Sequence, residues 1–167
     1  MNGGFQGLGR RSPWLLLPAA ALALDLGSKA MILARFAPGE VYPVIPGFFN
    51  LTLGMNPGAV FGTLGGLPDR IRIPFFAVVG LLALVFFGYE FLKERVSMPQ
   101  RIGLGLIIGG ALGNGYDRVL RHAVVDFLDF VFWGWHYWTF NLADSCILCG
   151  AVLLGWCMVR PAGKANG

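Results

Sequence analysis

Residues 73–92 read IPFFAVVGLLALVFFGYEFL. A run of this length and apolarity matches the ~20 residues that an α-helix needs to cross the hydrocarbon core of a bilayer. Lipid offers no hydrogen bonds to the backbone, so a helix is the form such a run is expected to take. Three further stretches resemble it. They run from Trp14 to about Ala34, from Ile102 to about Leu120, and from Trp138 to Val159. The predicted fold is therefore an all-α membrane protein, residues 1–167 as a single domain, with transmembrane segments at about 14–34, 73–92, 102–120 and 138–159.

Composition agrees with this reading. The chain is 56% hydrophobic and only 13% charged, whereas about 25% charge is usual for a soluble domain. The formal charge of +4 does not point to nucleic acid, because the basic residues stand in short clusters at the ends of apolar runs. Arg10 and Arg11 precede the first segment, Lys93, Arg95 and Arg101 join the second to the third, and Arg160 and Lys164 follow the fourth. Positive charge marks the cytoplasmic side, which predicts both termini inside and residues 36–70 and 121–137 outside. Arg35, Arg70 and Arg72 oppose the trend but are outnumbered. The first segment also has a signal-peptide reading, with Ala21-Leu22-Ala23 as a cleavage-like site. The resumption of apolar residues after Lys29 favours an uncleaved anchor.

The third segment is rich in glycine (Gly103, Gly105, Gly109, Gly110, Gly113, Gly115), which in a membrane permits close helix packing, within the chain or against a second copy. Residues 41–53 (VYPVIPGFFNLTL) mix β-branched and aromatic residues with turn formers, predicting short strands outside the membrane. Residues 132–138 (FWGWHYW) suit the headgroup level, where aromatic rings gather. Cys146, Cys149 and Cys157 all fall in the last segment. The Cys146/Cys149 spacing fits a redox pair, but small apolar residues facing lipid or a neighbouring helix explain them more simply.

Ionisable groups in or near the bilayer cost ~2.5–3.5 kcal/mol each on insertion scales and need a reason. Asp25 and Lys29 share a helical face and can pair; a self-neutralising structural pair and a functional role are equally open. Asp117 and Arg118 point about 100° apart on a helix, so each is expected to find its partner on another element or at the membrane interface. Asp126 follows the third segment. Asp144 is expected about two turns into the fourth, with a short loop between. Both then lie near the outer face, where their carboxylates can converge. Two such groups in a desolvated site share one proton, giving a general base and a general acid. A structural role, bonded to Asn141 or paired with Arg118, remains an alternative from the residues alone. Asp129 is expected to be a solvated or interfacial charge. His122 and His136 lack metalloprotease spacing, Ser145 lacks a nucleophile motif, and Asn56-Pro57-Gly58 makes a turn. An ion-coupled transporter built on Asp25, and a non-catalytic scaffold, compete with a hydrolase at this point.

Five stretches in order narrow the choice: Asp25-Leu-Gly-Ser-Lys29, Asn56-Pro-Gly-Ala-Val-Phe-Gly62, Gly113-Asn-Gly-Tyr-Asp117-Arg118, Val124-Val-Asp126-Phe127 and Phe140-Asn-Leu-Ala-Asp144-Ser145. On a four-segment scaffold they resemble the lipoprotein signal peptidases (signal peptidase II) from about Trp14 to Val159. The resemblance implies an aspartyl endopeptidase of the bacterial cytoplasmic membrane that cleaves diacylglyceryl-modified prolipoproteins just before the lipidated cysteine. It implies Asp126 and Asp144 as the catalytic pair, and Asn56, Gly58, Asn114, Arg118 and Asn141 as residues that bind substrate or shape the site. Asp25, Lys29 and Asp117 match supporting positions. No metal or organic cofactor is implied. The expected partners are prolipoproteins and membrane lipids, with the enzyme a monomer. Val60 and Gly115 depart from the family's habit, which touches substrate preference rather than chemistry.

Overall fold

The computed structural model describes residues 12–58 and 64–159; Val60 and the terminal charges Arg10, Arg11, Arg160 and Lys164 lie outside the described residues. A 3-10 turn, Ser12–Leu15, leads into α1 (Leu16–Arg35). Two strands follow, β1 (Val41–Ile45) and β2 (Phe49–Asn56). Next come α2 (Asp69–Leu92) and α3 (Met98–Arg121), then β3 (Val124–Phe132), β4 (Trp135–His136) and α4 (Leu142–Val159).

Three helical stretches, Pro13–Arg35, Asp69–Leu92 and Leu142–Val159, are long and apolar enough to cross a membrane. The third expected segment does form a helix, but α3 is not apolar enough to stand beside them. Its place explains why. It is the hub, packed against α1, α2 and α4, and buries ten residues, whereas α2 and α4 bury two each. A helix sheathed in protein has no need of lipid-soluble side chains all round. The outer helices expose much apolar surface, including Val78, Leu82, Val85 and Phe86 of α2 and Leu148, Val152 and Trp156 of α4, while α3 exposes Leu112, Val119 and Leu120 on its remaining face.

Five of the six α3 glycines, Gly103, Gly105, Gly109, Gly110 and Gly113, make close contacts inside the chain, while Gly115 faces open space. Gly103 and Gly150 face each other, and a Cβ on Gly150 would lie 2.5 Å from the Gly103 carbonyl oxygen and 2.8 Å from Ile107. A Gly150→Val substitution is expected to force α3 and α4 apart at a cost of about 1–3 kcal/mol, the range for overpacking. The check is the thermal midpoint in detergent, and an unchanged midpoint would show that the helices separate freely. Ala21, the first residue of the cleavage-like stretch, sits within α1, where a Cβ on Gly109 would lie 2.6 Å from its side chain.

The strands form one antiparallel arrangement in the order β1-β2-β3-β4. The expected strands in residues 41–53 are present. Residues 121–137, expected as a loop, are instead mostly strand, because β3 pairs along β2 from Phe49/Phe130 to Asn56/Val124. A core of Ile32, Leu53, Val125 and Phe127 joins the sheet to the end of α1. The fourth helix also begins later than expected, at Leu142 rather than Trp138. Phe140 has been recruited to the sheet: its carbonyl accepts from the Phe127 and Leu128 N–H groups, and its own N–H donates to Leu128. The helix can start only after that bridge.

Candidate functional site

Asp126 projects from β3. Its register partner is Gly54, and Asn56 lies opposite Val124. Asn56 and Asp126 are therefore diagonal neighbours on one face of the sheet, and the Asn56 amide donates to Asp126 Oδ2 at 2.9 Å. Asn56 Oδ1 accepts the Gly58 N–H at 3.0 Å, which closes the expected turn.

Asp144 lies in the first turn of α4, not two turns in. Asn141 caps that helix: its Oδ1 accepts the Asp144 N–H at 2.9 Å, while its own N–H reaches Asp144 Oδ2 at 3.2 Å. This is a reciprocal capping arrangement. A backbone N–H can only donate, so the Asn141 amide is oriented with its nitrogen turned the other way. That nitrogen donates to Asp126 Oδ1 at 2.7 Å and to Asn114 Oδ1 at 3.2 Å. Asn114 in turn donates to Asp144 Oδ1 at 2.7 Å. The two candidate acids, separated in sequence by a strand rather than a short loop, are thus joined through one buried asparagine.

Asp126 is 2% exposed. Burial raises its carboxyl from the ordinary 3.8 to about 6. The Asn56 hydrogen bond works against this, the negative charge of Asp144 adds to it, and the Asn141 hydrogen bond again opposes it. Beside Asp126 opens a cleft of about 310 Å³ lined by Gly54, Met55, Asn56, Pro57, Asp126, Trp138 and Thr139. Of the lining residues, Gly54, Met55 and Thr139 carried no sequence signal, and Trp138 only that of an interfacial aromatic; the β2–β3 register brings Gly54 and Met55 to Asp126, and the Leu128–Phe140 bridge brings Trp138 and Thr139.

Behind the pair is a buried ion cluster. Lys29, 1% exposed, lies 2.7 Å from Asp25 Oδ2 and 2.9 Å from Asp117 Oδ2, and donates to Asn114 Oδ1 at 3.1 Å. Asp25 accepts the Ala143 N–H at 2.9 Å, tying α1 to the start of α4. Asp117 also bonds Arg121 and the Val125 N–H. Asp25 and Lys29 do pair, then, but as part of a larger cluster. Asp117 and Arg118 diverge as expected. Arg118 donates to the carbonyls of Asn114 and Gly58 at 3.4 and 3.2 Å and lies 4.7 Å over the Phe76 ring.

The expectation for Asp129 also fails. Asp129 is not a solvated charge: it is 3% exposed, accepts from Asn50 at 2.7 Å, and sits 3.0 Å from His136 Nδ1. Asn50 stands directly opposite Asp129 in the ladder, and His136 reaches it from β4. Asp129 locks the sheet together away from the candidate pair.

An apolar helical bundle with buried carboxylates under a small sheet is an architecture found among membrane enzymes. A solved bacterial membrane enzyme, determined by the in meso method at 2.3 Å, superposes with a TM-score of 0.82 and 30% identity over 93% of each chain. A second, at 1.9 Å, gives 0.79 and 30% identity over 90% of this chain and 95% of its own. The sequence identifies the family more narrowly. The description Signal peptidase (SPase) II matches residues 17–160. Curated relatives named lipoprotein signal peptidase include those of Moorella thermoacetica, 42% identical over 91% of this chain and 96% of its own, and Yersinia pseudotuberculosis, 43% identical over 84% and 83%. The chain belongs to the signal peptidase II family of proteases.

Proposed function

We propose that this chain is an aspartyl endopeptidase that removes signal peptides from diacylglyceryl-modified prolipoproteins, cutting just before the lipidated cysteine, with Asp126 and Asp144 as its catalytic pair. The observation that carries the reading is the Asn141 bridge between these two carboxylates at the edge of a cleft. The pair holds one proton, on Asp126, whose buried carboxyl is raised to about 6. Ionised Asp144 takes a proton from water as the water attacks the scissile carbonyl carbon, and Asp126 donates its proton to the carbonyl oxygen. Collapse of the tetrahedral intermediate breaks the C–N bond. The departing nitrogen receives the proton gained by Asp144, and a hydroxyl proton returns to Asp126.

Membrane confinement supplies the positioning. The substrate's apolar signal helix and acyl chains stay in lipid, which holds the scissile bond at one depth. The connectivity of the helices supports a site near the extracytoplasmic face. The sheet joins α1 to α2 and α3 to α4, at the end opposite the α2–α3 turn, and that turn carries Lys93 and Arg95. Both termini are then cytoplasmic. The glycine contacts inside the chain support a monomer, and β2 with its following turn forms one wall of the substrate cleft.

The deciding experiment incubates purified enzyme with a diacylglyceryl-modified precursor and, separately, with the same precursor unlipidated. Mass spectrometry should find a product beginning at the lipidated cysteine, and no product from the unlipidated chain. Cleavage elsewhere, or indifference to the lipid, would remove the proposed specificity.

The raised value of Asp126 also fixes the sign of a pH effect. Its folded value lies above its unfolded 3.8, so the stability it contributes is full below 3.8 and is lost as pH rises through about 6. The shared proton leaves over the same range. The kcat/KM of the free enzyme should therefore have a basic limb with its midpoint near 6, a constant belonging to the pair. Asn56→Ala removes a donor that favours ionised Asp126, and should move that limb to higher pH. A limb that moves down or stays fixed would contradict this assignment.

A further inference from the structure

Lys29 is buried and does not line the cleft beside Asp126, yet its ammonium faces the candidate pair through a single side chain. An ammonium carries three donors and no acceptor. The Asn114 atom 3.1 Å from Lys29 Nζ must therefore be its oxygen. That leaves the Asn114 nitrogen facing Asp144 Oδ1 at 2.7 Å, where a carboxylate oxygen accepts. The other two Lys29 contacts, to Asp25 and Asp117, neutralise its charge and fix its position. The same Asn114 oxygen also accepts from Asn141, whose amide nitrogen reaches Asp126. Of the three amides that touch the carboxylate pair, Asn56, Asn114 and Asn141, the Asn114 amide is the one that Lys29 contacts directly.

We propose that Lys29 is a positioning residue for the reaction: by fixing the orientation of the Asn114 amide it compels that amide to donate to Asp144, and so holds Asp144 in the geometry of the general base. Without Lys29 the Asn114 oxygen keeps only the longer bond from Asn141, at 3.2 Å, and the amide is less strongly held against turning its oxygen to Asp144, where it would repel an ionised carboxylate. The inference rests on reading Asp126 and Asp144 as the catalytic pair. It differs from a bracing role for the ion cluster because it runs through one named amide.

Removing Lys29 alone strands two buried aspartates, so the test uses the charge-balanced variant Asp25→Asn/Lys29→Met. Asparagine at 25 still offers an oxygen to the Ala143 N–H, and Asp117 keeps Arg121 and the Val125 N–H. On a diacylglyceryl-modified precursor, kcat per folded molecule should fall about 10- to 100-fold, as for a misplaced reacting group, with KM within about twofold. In an Asn114→Ala background the same pair of changes should lower kcat by less than about twofold further, because both act through one amide. A cluster that only braces the helices would lower the thermal midpoint and leave kcat unchanged, or give losses that multiply with Asn114→Ala. Either result overturns the proposal. Should the balanced variant not fold, Asn114→Asp gives the answer. It keeps, and strengthens, the acceptor for Lys29 but offers Asp144 no N–H. A carboxylate at 114 faces Asp144 across 2.7 Å and costs some stability, so the comparison is made per folded molecule: kcat should fall at least about 10-fold, and wild-type kcat would overturn the proposal. Asp144→Asn runs alongside. If it cleaves normally the catalytic reading is at fault; if it is inert while Asn114→Asp and the balanced variant cleave normally, only the role of Lys29 fails.

Discussion

Asp126→Asn and Asp144→Asn are each expected to reduce cleavage of a lipidated precursor by at least about 10³-fold, within the range for losing a general acid or base. An amide cannot take a proton from water at Asp144, and at Asp126 it cannot supply an acidic proton to the carbonyl oxygen. The substitutions are nearly isosteric, so the fold should persist. Asn56 and Asn141 donate to Asp126, and asparagine at 126 keeps an oxygen for one of them. The double variant should be little worse than either single one, since two groups that act as a unit give strongly non-additive losses. The readout is the gel shift that accompanies loss of the signal peptide, with thermal midpoints to show that each variant is folded. Full activity in either variant would remove that aspartate from the mechanism. Full activity in both would return the reading of the pair to a structural one.

The largest loss of stability is expected from Lys29→Met by itself. Asp25 and Asp117 are both 0% exposed, and Lys29 is the cation they share. Breaking a buried ion pair by removing one partner typically costs about 3–5 kcal/mol, because the remaining charge is left uncompensated. Here two carboxylates are affected, although Asp117 retains Arg121. The variant should show a steep drop in thermal midpoint and in the yield of folded protein from detergent. Adding Asp25→Asn should recover much of that loss, since it removes the charge left without a partner. A single Lys29→Met variant as stable as wild type would show that the cluster is not held by charge balance.

The two residues of the candidate pair can be picked out in the sequence, and most of their geometry cannot. Composition and the run at residues 73–92 establish a membrane protein, because apolarity on that scale has no other solvent. The ordered motifs resemble one family and point to Asp126 and Asp144. Local spacing also placed Lys29 opposite Asp25 and separated Asp117 from Arg118, since a helix repeats every 3.6 residues whatever surrounds it. Contacts between distant segments follow no such rule. Asp129 reads as a surface charge until the ladder sets Asn50 against it and β4 folds His136 back. Trp138–Asn141 read as the start of an apolar helix until Phe140 pairs with Leu128 and Asn141 becomes the cap. The third segment reads like the other three, but packing against α1, α2 and α4 makes it the hub and spares it their apolarity. Lys29 and Asn114 stand 85 residues apart, and only the close approach of α1 to α3 lets an ammonium decide which way an amide faces. Periodicity and solvent preference are properties of the chain itself; hydrogen-bond partners and buried charge belong to segments the fold brings together.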